Sequence, residues 1–339
     1  MRQPTHQPQR AAHDEAETEP QFDSSFFVAF RLTHEALKGA LREASELNIT
    51  QYRILVKLSG AGEHGLGQGK LGEALRLKPN VVTQSLGVLD AFGFVSRAEG
   101  EHDRRSKTVR ATEAGVRHIE YVNTHIVELL YSLFPTDNSS WRAILEASVA
   151  AGATIDPPLS RQTAERYPAS RTLVSLELVR LEIERELKHS CGVPLSEALI
   201  MMRLSEVDDP QRIVDLAEAL DTSTANVTRT VDRLARHGWV GRMTGPRDKK
   251  AVYVVPTPEG AFQAAVIAET TNRIATDLLW SRLSGADRAA IEQVGTVVID
   301  GLRERRRAQH RVGYEDLRPM KKASGFEAGG WRGSCEPWR

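Results

Sequence analysis

Apolar residues recur every three, four or seven positions through most of this chain, and at two places that helical period gives way to a pair of short strands. Phe27, Phe30, Leu37 and Leu41 follow Asp23-Ser24-Ser25, which offer N-caps for a first helix. Thr50 reads as the cap of a second, with Ile54, Leu55 and Leu58 on one face. A glycine-rich loop, Gly60–Gly69, leads into short helices at Leu71–Leu77 and Pro79–Phe92, and Gly93 ends the latter. Phe94–Ala98 and Lys107–Ala111 read as a hairpin with the tip GEHDRR. Thr112-Glu113-Ala114 caps a long helix containing Val116, Ile119, Val122, Ile126, Leu129 and Leu133, which Pro135 stops. Another helix starts at Asn138-Ser139-Ser140 and runs to about Ala151.

The same order then returns. Helices are predicted at about Ser170–His189, Leu195–Leu204, Ile213–Leu220 and Thr224–His237, followed by a hairpin at Val240–Pro256. A long helix over Pro258–Leu283 and a last one from Ser284 to about Arg307 complete the pattern. Leu71–Gly115 and Leu216–Gly260 align without a gap at an offset of 145 residues, with 15 of 45 positions identical, among them Glu73/Glu218, Arg97/Arg242 and Asp103/Asp248. The chain therefore reads as a duplication: an arm at 1–21 without apolar residues to order it, a first unit at 22–151, a linker at 152–168, a second unit at 169–307, and a disordered tail at 308–339. The expected fold is mainly α with small β-hairpin wings: two tandem winged helix-turn-helix domains joined as a pseudo-dimer.

Composition narrows the function. The 339 residues carry no net charge, with −3 on residues 1–160 and +3 on 161–339, which argues against non-specific coating of nucleic acid and leaves local basic patches as the carriers of affinity. No apolar run approaches a membrane span, and residues 1–20 lack the apolar core of a signal peptide, so a cytoplasmic location is expected. The two cysteines, Cys191 and Cys335, form neither a ligand cluster nor a disulfide framework. The glycine-rich loop lacks the GK[ST] ending of a phosphate cradle.

Within this frame Thr224-Ala225-Asn226-Val227-Thr228-Arg229, Asp232-Arg233-Leu234, His237-Gly238-Trp239-Val240 and Thr257-Pro258-Glu259-Gly260 resemble the MarR family of bacterial transcriptional regulators. In the first unit the resemblance rests on Leu89, Gly93-Phe94-Val95, Arg97, Asp103-Arg104-Arg105 and Thr112-Glu113-Ala114-Gly115. It covers most of 24–151 and 170–307. It implies a dimer with intertwined terminal helices, recognition helices in the major groove, wing tips over the minor groove, and release of DNA by a small aromatic effector. Because this chain carries two units, they are expected to pair with each other as an intramolecular pseudo-dimer on a pseudo-palindromic or asymmetric operator, with a homodimer as the alternative. No cofactor is expected.

On a helical wheel Val227, Val231 and Leu234 share one side of the second recognition helix, and Asn226, Arg229, Arg233 and Arg236 the other. Arginine suits guanine or phosphate and asparagine suits adenine. Docking geometry favours the helix start, so Thr224, Asn226, Arg229 and Thr230 are the expected base readers and Arg233 a backbone contact. In the first unit Val81, Gln84, Val88 and Ala91 occupy the matching positions and carry no charge. Asn80, Gln84 and Ser85 are its candidate contacts, and the second unit is expected to dominate. Both wings are basic, with Arg104, Arg105 and Lys107 in one and Arg247, Lys249 and Lys250 in the other. Lys250 stands where Arg105 keeps the family's Asp-x-Arg pair, and lysine cannot form the bidentate fork.

Weaker candidates are Cys191 as a redox sensor, His118 and His125 with His34 as a metal site, Phe26, Phe27, Phe30 and Tyr52 as an effector pocket, and the basic run at 303–311 as a phosphate contact. For each, ordinary packing or solvation is the competing explanation. Once both repeats are assigned, no catalytic domain remains, so the protein is not expected to be an enzyme. The functional alternative is a protein-interaction scaffold or antirepressor, which the uncharged first recognition face favours.

Overall fold

The computed structural model describes residues 22–62, 65–99, 107–156, 166–244 and 252–294, together with 297, 300, 301 and 304. The expected arm and the whole of the expected tail lie outside these residues. Helices α1 (Ser24–Ala44) and α2 (Ile49–Ser59) lead to a short strand β1 (Leu66–Gly67), α3 (Gln68–Leu75), α4 (Pro79–Ala91), the hairpin β2 (Val95–Glu99) and β3 (Lys107–Ala111), and α5 (Glu113–Leu133) and α6 (Ser139–Thr154). The same order follows in α7 (Pro168–Glu186), α8 (Leu195–Ser205), β4 (Gln211–Arg212), α9 (Ile213–Ala219), α10 (Thr224–Arg236), β5 (Val240–Thr244), β6 (Val252–Pro256) and α11 (Pro258–Leu278). Each three-stranded antiparallel sheet has its third strand in the middle, β1-β3-β2 and β4-β6-β5. The hairpin registers match at the same offset, Val95 opposite Ala111 and Val240 opposite Pro256.

Local chemistry explains why the two copies close alike. Gly93 and Gly238, at φ 71° and 77°, end α4 and α10 in the left-handed region that favours glycine. Thr112 then donates its hydroxyl to the Gly93 carbonyl at 2.6 Å and accepts from Gly115 N at 3.1 Å; Thr257 does the same with Gly238 (2.7 Å) and Gly260 (3.0 Å). One threonine thus caps the long helix and ties it to the end of α4 or α10. Gly115 and Gly260 follow because a Cβ at either would collide with a backbone carbonyl, Phe94 or Trp239.

Several boundaries differ from the sequence expectation. The cap of α2 is Asn48, whose side chain accepts from Gln51 N (3.0 Å) while Gln51 reaches back to Asn48 N (2.9 Å), so Thr50 sits inside the helix. The glycine-rich loop ends early, in β1 and the start of α3. Helix α6 continues through Gly152 to Thr154, and Gly152 lets it pack closely on α7, where a side chain would meet Thr172 Cγ2 at 2.7 Å. Helix α7 passes into one π-helical segment, Leu187–Cys191, and a 3₁₀ turn at Trp280–Arg282 follows α11. Ser284 caps a helix over residues 285–294 by exchanging hydrogen bonds with Asp287.

One buried cluster runs from Phe22 to Val294 through both copies. The contact between them, along α1, α2 and α7, also carries buried charge. His34 Nε2 lies 2.7 Å from Glu177, Lys57 Nζ 2.9 Å from Asp156, and Arg76 2.5 Å from Glu182. Arg53, fully buried, donates to the Leu75 carbonyl and is held by the surrounding charges of Glu177, Asp156 and Glu182 against a burial that lowers its pKa. The basic residue of each contact belongs to residues 34–76 and the carboxylate to residues 156–182.

Burial by itself would raise the Glu177 pKa, but hydrogen bonds from Arg180 and His34, with their charges, hold it at about 2. A carboxyl with a depressed folded-state pKa contributes stability that is complete above its ordinary value of 4.5 and is lost as the pH falls towards 2. The stability difference between the native chain and Glu177→Gln, measured by denaturant unfolding, is therefore expected to be largest near neutrality, on the order of 3 kcal/mol. It should shrink through that acid window; a difference independent of pH would show that the Glu177 charge contributes nothing.

Candidate nucleic-acid interface

Helix α10 is the most sharply two-sided element of the second copy. Ser223 caps it, accepting from Asn226 N at 3.2 Å. Val227, Val231 and Leu234 are buried beneath it, whereas Thr224, Asn226, Thr228, Arg229 and Arg236 are exposed. Arg229 donates to Asn226 Oδ1 at 2.5 Å, so the two polar side chains form one pre-aligned edge over the first turns of the helix.

Two expected readers do not belong to that edge. Thr230 is 5 % exposed, and its hydroxyl accepts from Arg233 at 3.1 Å. Ser85, its counterpart at the same offset, is 6 % exposed. Both positions lie three residues after a core valine, Val227 or Val82, and so rotate back towards the core. Neither can present its side chain to a groove from this packing. Arg233 is directed along the helix to Glu197 of α8, 2.5 Å away, where it neutralises a carboxylate buried to 4 % exposure. This fixes α10 on α8 and leaves Arg229 and Arg236 as the outward cations of the helix.

Sequence reading missed a second clamp. Arg242 of β5 pairs with Asp232 of α10, and the equivalent Arg97 of β2 pairs with Asp90 of α4 at 3.7 Å. The arginine is identical in both copies while the aspartate moves along the helix; the identity Arg97/Arg242 was the available signal. Each hairpin is thereby anchored to its recognition helix.

On α4 the matching surface presents Asn80, Thr83 and Gln84, all exposed and uncharged. Thr83 bonds to the Pro79 carbonyl at 3.0 Å. The wing residues Arg104, Arg105, Arg247, Lys249 and Lys250 lie outside the described residues; Lys107 begins β3, paired with Glu99.

The remaining candidates separate. His34 meets Glu177, His118 sits 2.8 Å from the Ser45 hydroxyl and stacks on Phe94, and His125 faces Glu43 and Glu128. Among the described residues no three His, Cys, Asp or Glu side chains converge on a metal position. Cys191 is half-buried, 3.7 Å from the Thr270 hydroxyl. Phe27 and Tyr52 are fully buried, whereas Phe26 and Phe30 border a cavity. Among the described residues no helix is long and apolar enough to cross a membrane.

A larger cavity, about 770 Å³, opens beneath α10. Arg31, Lys188, Arg229 and Arg233 bring four cations to its wall against one carboxylate, Glu184, over a floor that includes Leu195, Leu199 and Val227.

Two hairpin-bearing helix-turn-helix copies define the class as a winged helix-turn-helix protein, mainly helical with small antiparallel sheets. Residues 193–252, which hold α8 to β5, match the family model of the MarR family. The chain is 42 % identical over 48 residues to the multiple antibiotic resistance protein MarR of Salmonella typhimurium, covering 14 % of this chain and 33 % of that protein. It is 26 % identical over 91 residues to the HTH-type transcriptional regulator PapX of Escherichia coli, covering 26 % and 56 %. The chain thus spans about a third to just over half of the length of these curated relatives. Among solved structures it is similar to the MarR family regulators AbsC (TM-score 0.37, 21 % identity, 39 % of this chain and 89 % of that one) and Sco3205 in complex with DNA (TM-score 0.34, 20 % identity, 44 % and 87 %), both from Streptomyces coelicolor.

Proposed function

We propose that this chain is a cytoplasmic transcriptional regulator, a repressor in its ordinary state, that binds duplex DNA without chemistry and chiefly through α10. The observation that carries this reading is the Asn226–Arg229 edge, exposed on a capped helix whose opposite side is buried. Thr224 flanks that edge, and Arg236 lies further along the helix towards phosphate. The wings contribute Arg247, Lys249 and Lys250 on one side and Arg104, Arg105 and Lys107 on the other. Helix α4 adds the weaker contacts of Asn80 and Gln84. A footprint on DNA flanking the protein's own gene, taken over a salt series, tests this. Protection that fades with rising salt is expected, since phosphate contacts release counterions. Absence of a protected site would favour the other reading, a scaffold or antirepressor, to which the uncharged α4 face would then belong.

The two units act together as a fused dimer, at 22–151 and 169–307. Support comes from the contact along α1, α2 and α7: at the same offset Glu177 corresponds to Leu32 and His34 to Val179, so each unit lacks the charges to pair with its own copy there. A unit paired with itself would lose the His34–Glu177 contact, setting His34 opposite Leu32 and leaving Glu177 only Arg180 of its own helix. Light-scattering mass at micromolar concentration should give one chain; an obligate two-chain mass would refute the fused dimer.

An effector belongs to the same reading. The cavity beneath α10 suits an aromatic carboxylate, which would draw Arg229 inward and away from DNA. Adding a substituted benzoate to the footprint should weaken protection; full protection at millimolar benzoate would remove this part of the reading.

A further inference from the structure

A second cavity, about 440 Å³, lies away from α10, where α1, α5, α6 and α7 meet the end of α11 and the helix at 285–294. Neither recognition helix and neither hairpin borders it among the described residues. Its volume falls within the range that holds a small organic molecule, roughly 300–1,000 Å³, and exceeds the voids that imperfect packing leaves. The wall is largely apolar and includes the rings of Phe26, Phe30 and Trp280. Phe26 and Trp280 stand edge to face at 6.5 Å, and Phe22 packs against both, at 4.4 and 5.3 Å, so this part of the wall is an aromatic cluster. Thr33 and Ser148 bring hydroxyl groups to the wall.

The charge of this wall separates it from the cavity beneath α10. Its ionisable groups are Asp23 and Glu292, with no cation among the described lining residues. An anion entering here would leave water and meet two carboxylates with no cation among the described lining residues to offset them. The site is also one-sided: at the offset of the repeat Phe26 and Phe30 become Arg171 and Ser175, and Arg171 is buried with its guanidinium donating to the Ala153 carbonyl at 2.6 Å. The duplicated sequence thus keeps aromatic rings at one of the two equivalent places.

We propose that this cavity is a binding site for a small uncharged aromatic molecule of two or three fused rings bearing at most a hydroxyl group. Occupancy presses on α1 at Phe30 and Thr33. Arg31, next to Phe30, donates to the Leu220 and Asp221 carbonyls at 2.9 and 3.1 Å, in the turn that precedes α10.

Titration calorimetry on the full chain near neutral pH, with β-naphthol and β-naphthoate as matched probes, tests the site without DNA, so its outcome is independent of the regulatory reading. One β-naphthol per chain should bind, and β-naphthoate at least tenfold more weakly. Ser148→Phe, which fills the cavity, should reduce β-naphthol affinity at least tenfold with the melting midpoint unchanged or raised. Where Ser148→Phe does not fold, Ala29→Leu on the opposite wall gives the same readout. Absence of binding, equal affinity for the two probes, or undiminished binding by a folded filled variant overturns the proposal.

Discussion

Replacing Arg229 by alanine is expected to weaken operator binding by about 1–3 kcal/mol and to relax discrimination at one base position. The loss includes more than one side chain. Arg229 donates to Asn226 Oδ1, so its removal also frees the asparagine amide that it holds in line. Pre-alignment matters because ordering a long polar side chain during binding costs entropy, about 0.5–1.5 kcal/mol for each one immobilised. Gln84→Ala on α4 should cost less, since no charge accompanies that amide on the exposed surface. Electrophoretic mobility shift on the footprinted site measures both. Unchanged affinity for Arg229→Ala would remove α10 as the reader, and a larger loss for Gln84→Ala would reverse the proposed asymmetry.

The second large effect concerns stability. Gly260→Ala is expected to destabilise the second unit at the upper end of the cost of overpacking, roughly 3 kcal/mol. The added methyl would be driven into the Trp239 carbonyl, which is backbone and cannot rotate away, and Thr257 N donates to that same carbonyl at 2.9 Å. Relief of the clash must therefore loosen the joint between hairpin, recognition helix and α11. Gly241→Ala is the control, because its Cβ would meet only Val255 Cγ2, at an ordinary 3.6 Å. Chemical denaturation of the two variants separates them; equal midpoints would show that the joint yields without cost.

Where the sequence was informative, the physics was local. Threonine immediately before the long helix, glycine at its third position, and glycine at the end of α4 or α10 each answer a demand made by neighbours within about twenty residues. Such demands recur identically in both copies, so the repeat exposed them. The exposed and buried sides of α10 followed from helical period for Val227, Val231, Leu234, Asn226 and Arg229. Thr230 and Ser85 were misread because closeness to the helix start was allowed to outweigh the wheel, although each stands one turn from a core valine.

Arg233 could not be placed from sequence. Its partner Glu197 lies 36 residues away on another helix, and only packing of α10 on α8 brings a buried carboxylate within reach. The contact between the units is the extreme case, since His34 and Glu177 are separated by nearly half the chain. Hydrophobic period marks the α7 side as a core face but does not reveal that the buried Glu177 and Glu182 lie on it, facing His34 of α1 and Arg76 at the end of α3. By itself, then, the sequence determined the two copies, their capped and glycine-closed joints, and the polar edge of α10, because each depends on forces acting along one or two turns of chain. The tertiary structure alone decided which arginines of α10 stay exposed, which charges meet across α1, α2 and α7, and where cavities open, because those depend on which distant surfaces exclude water from one another.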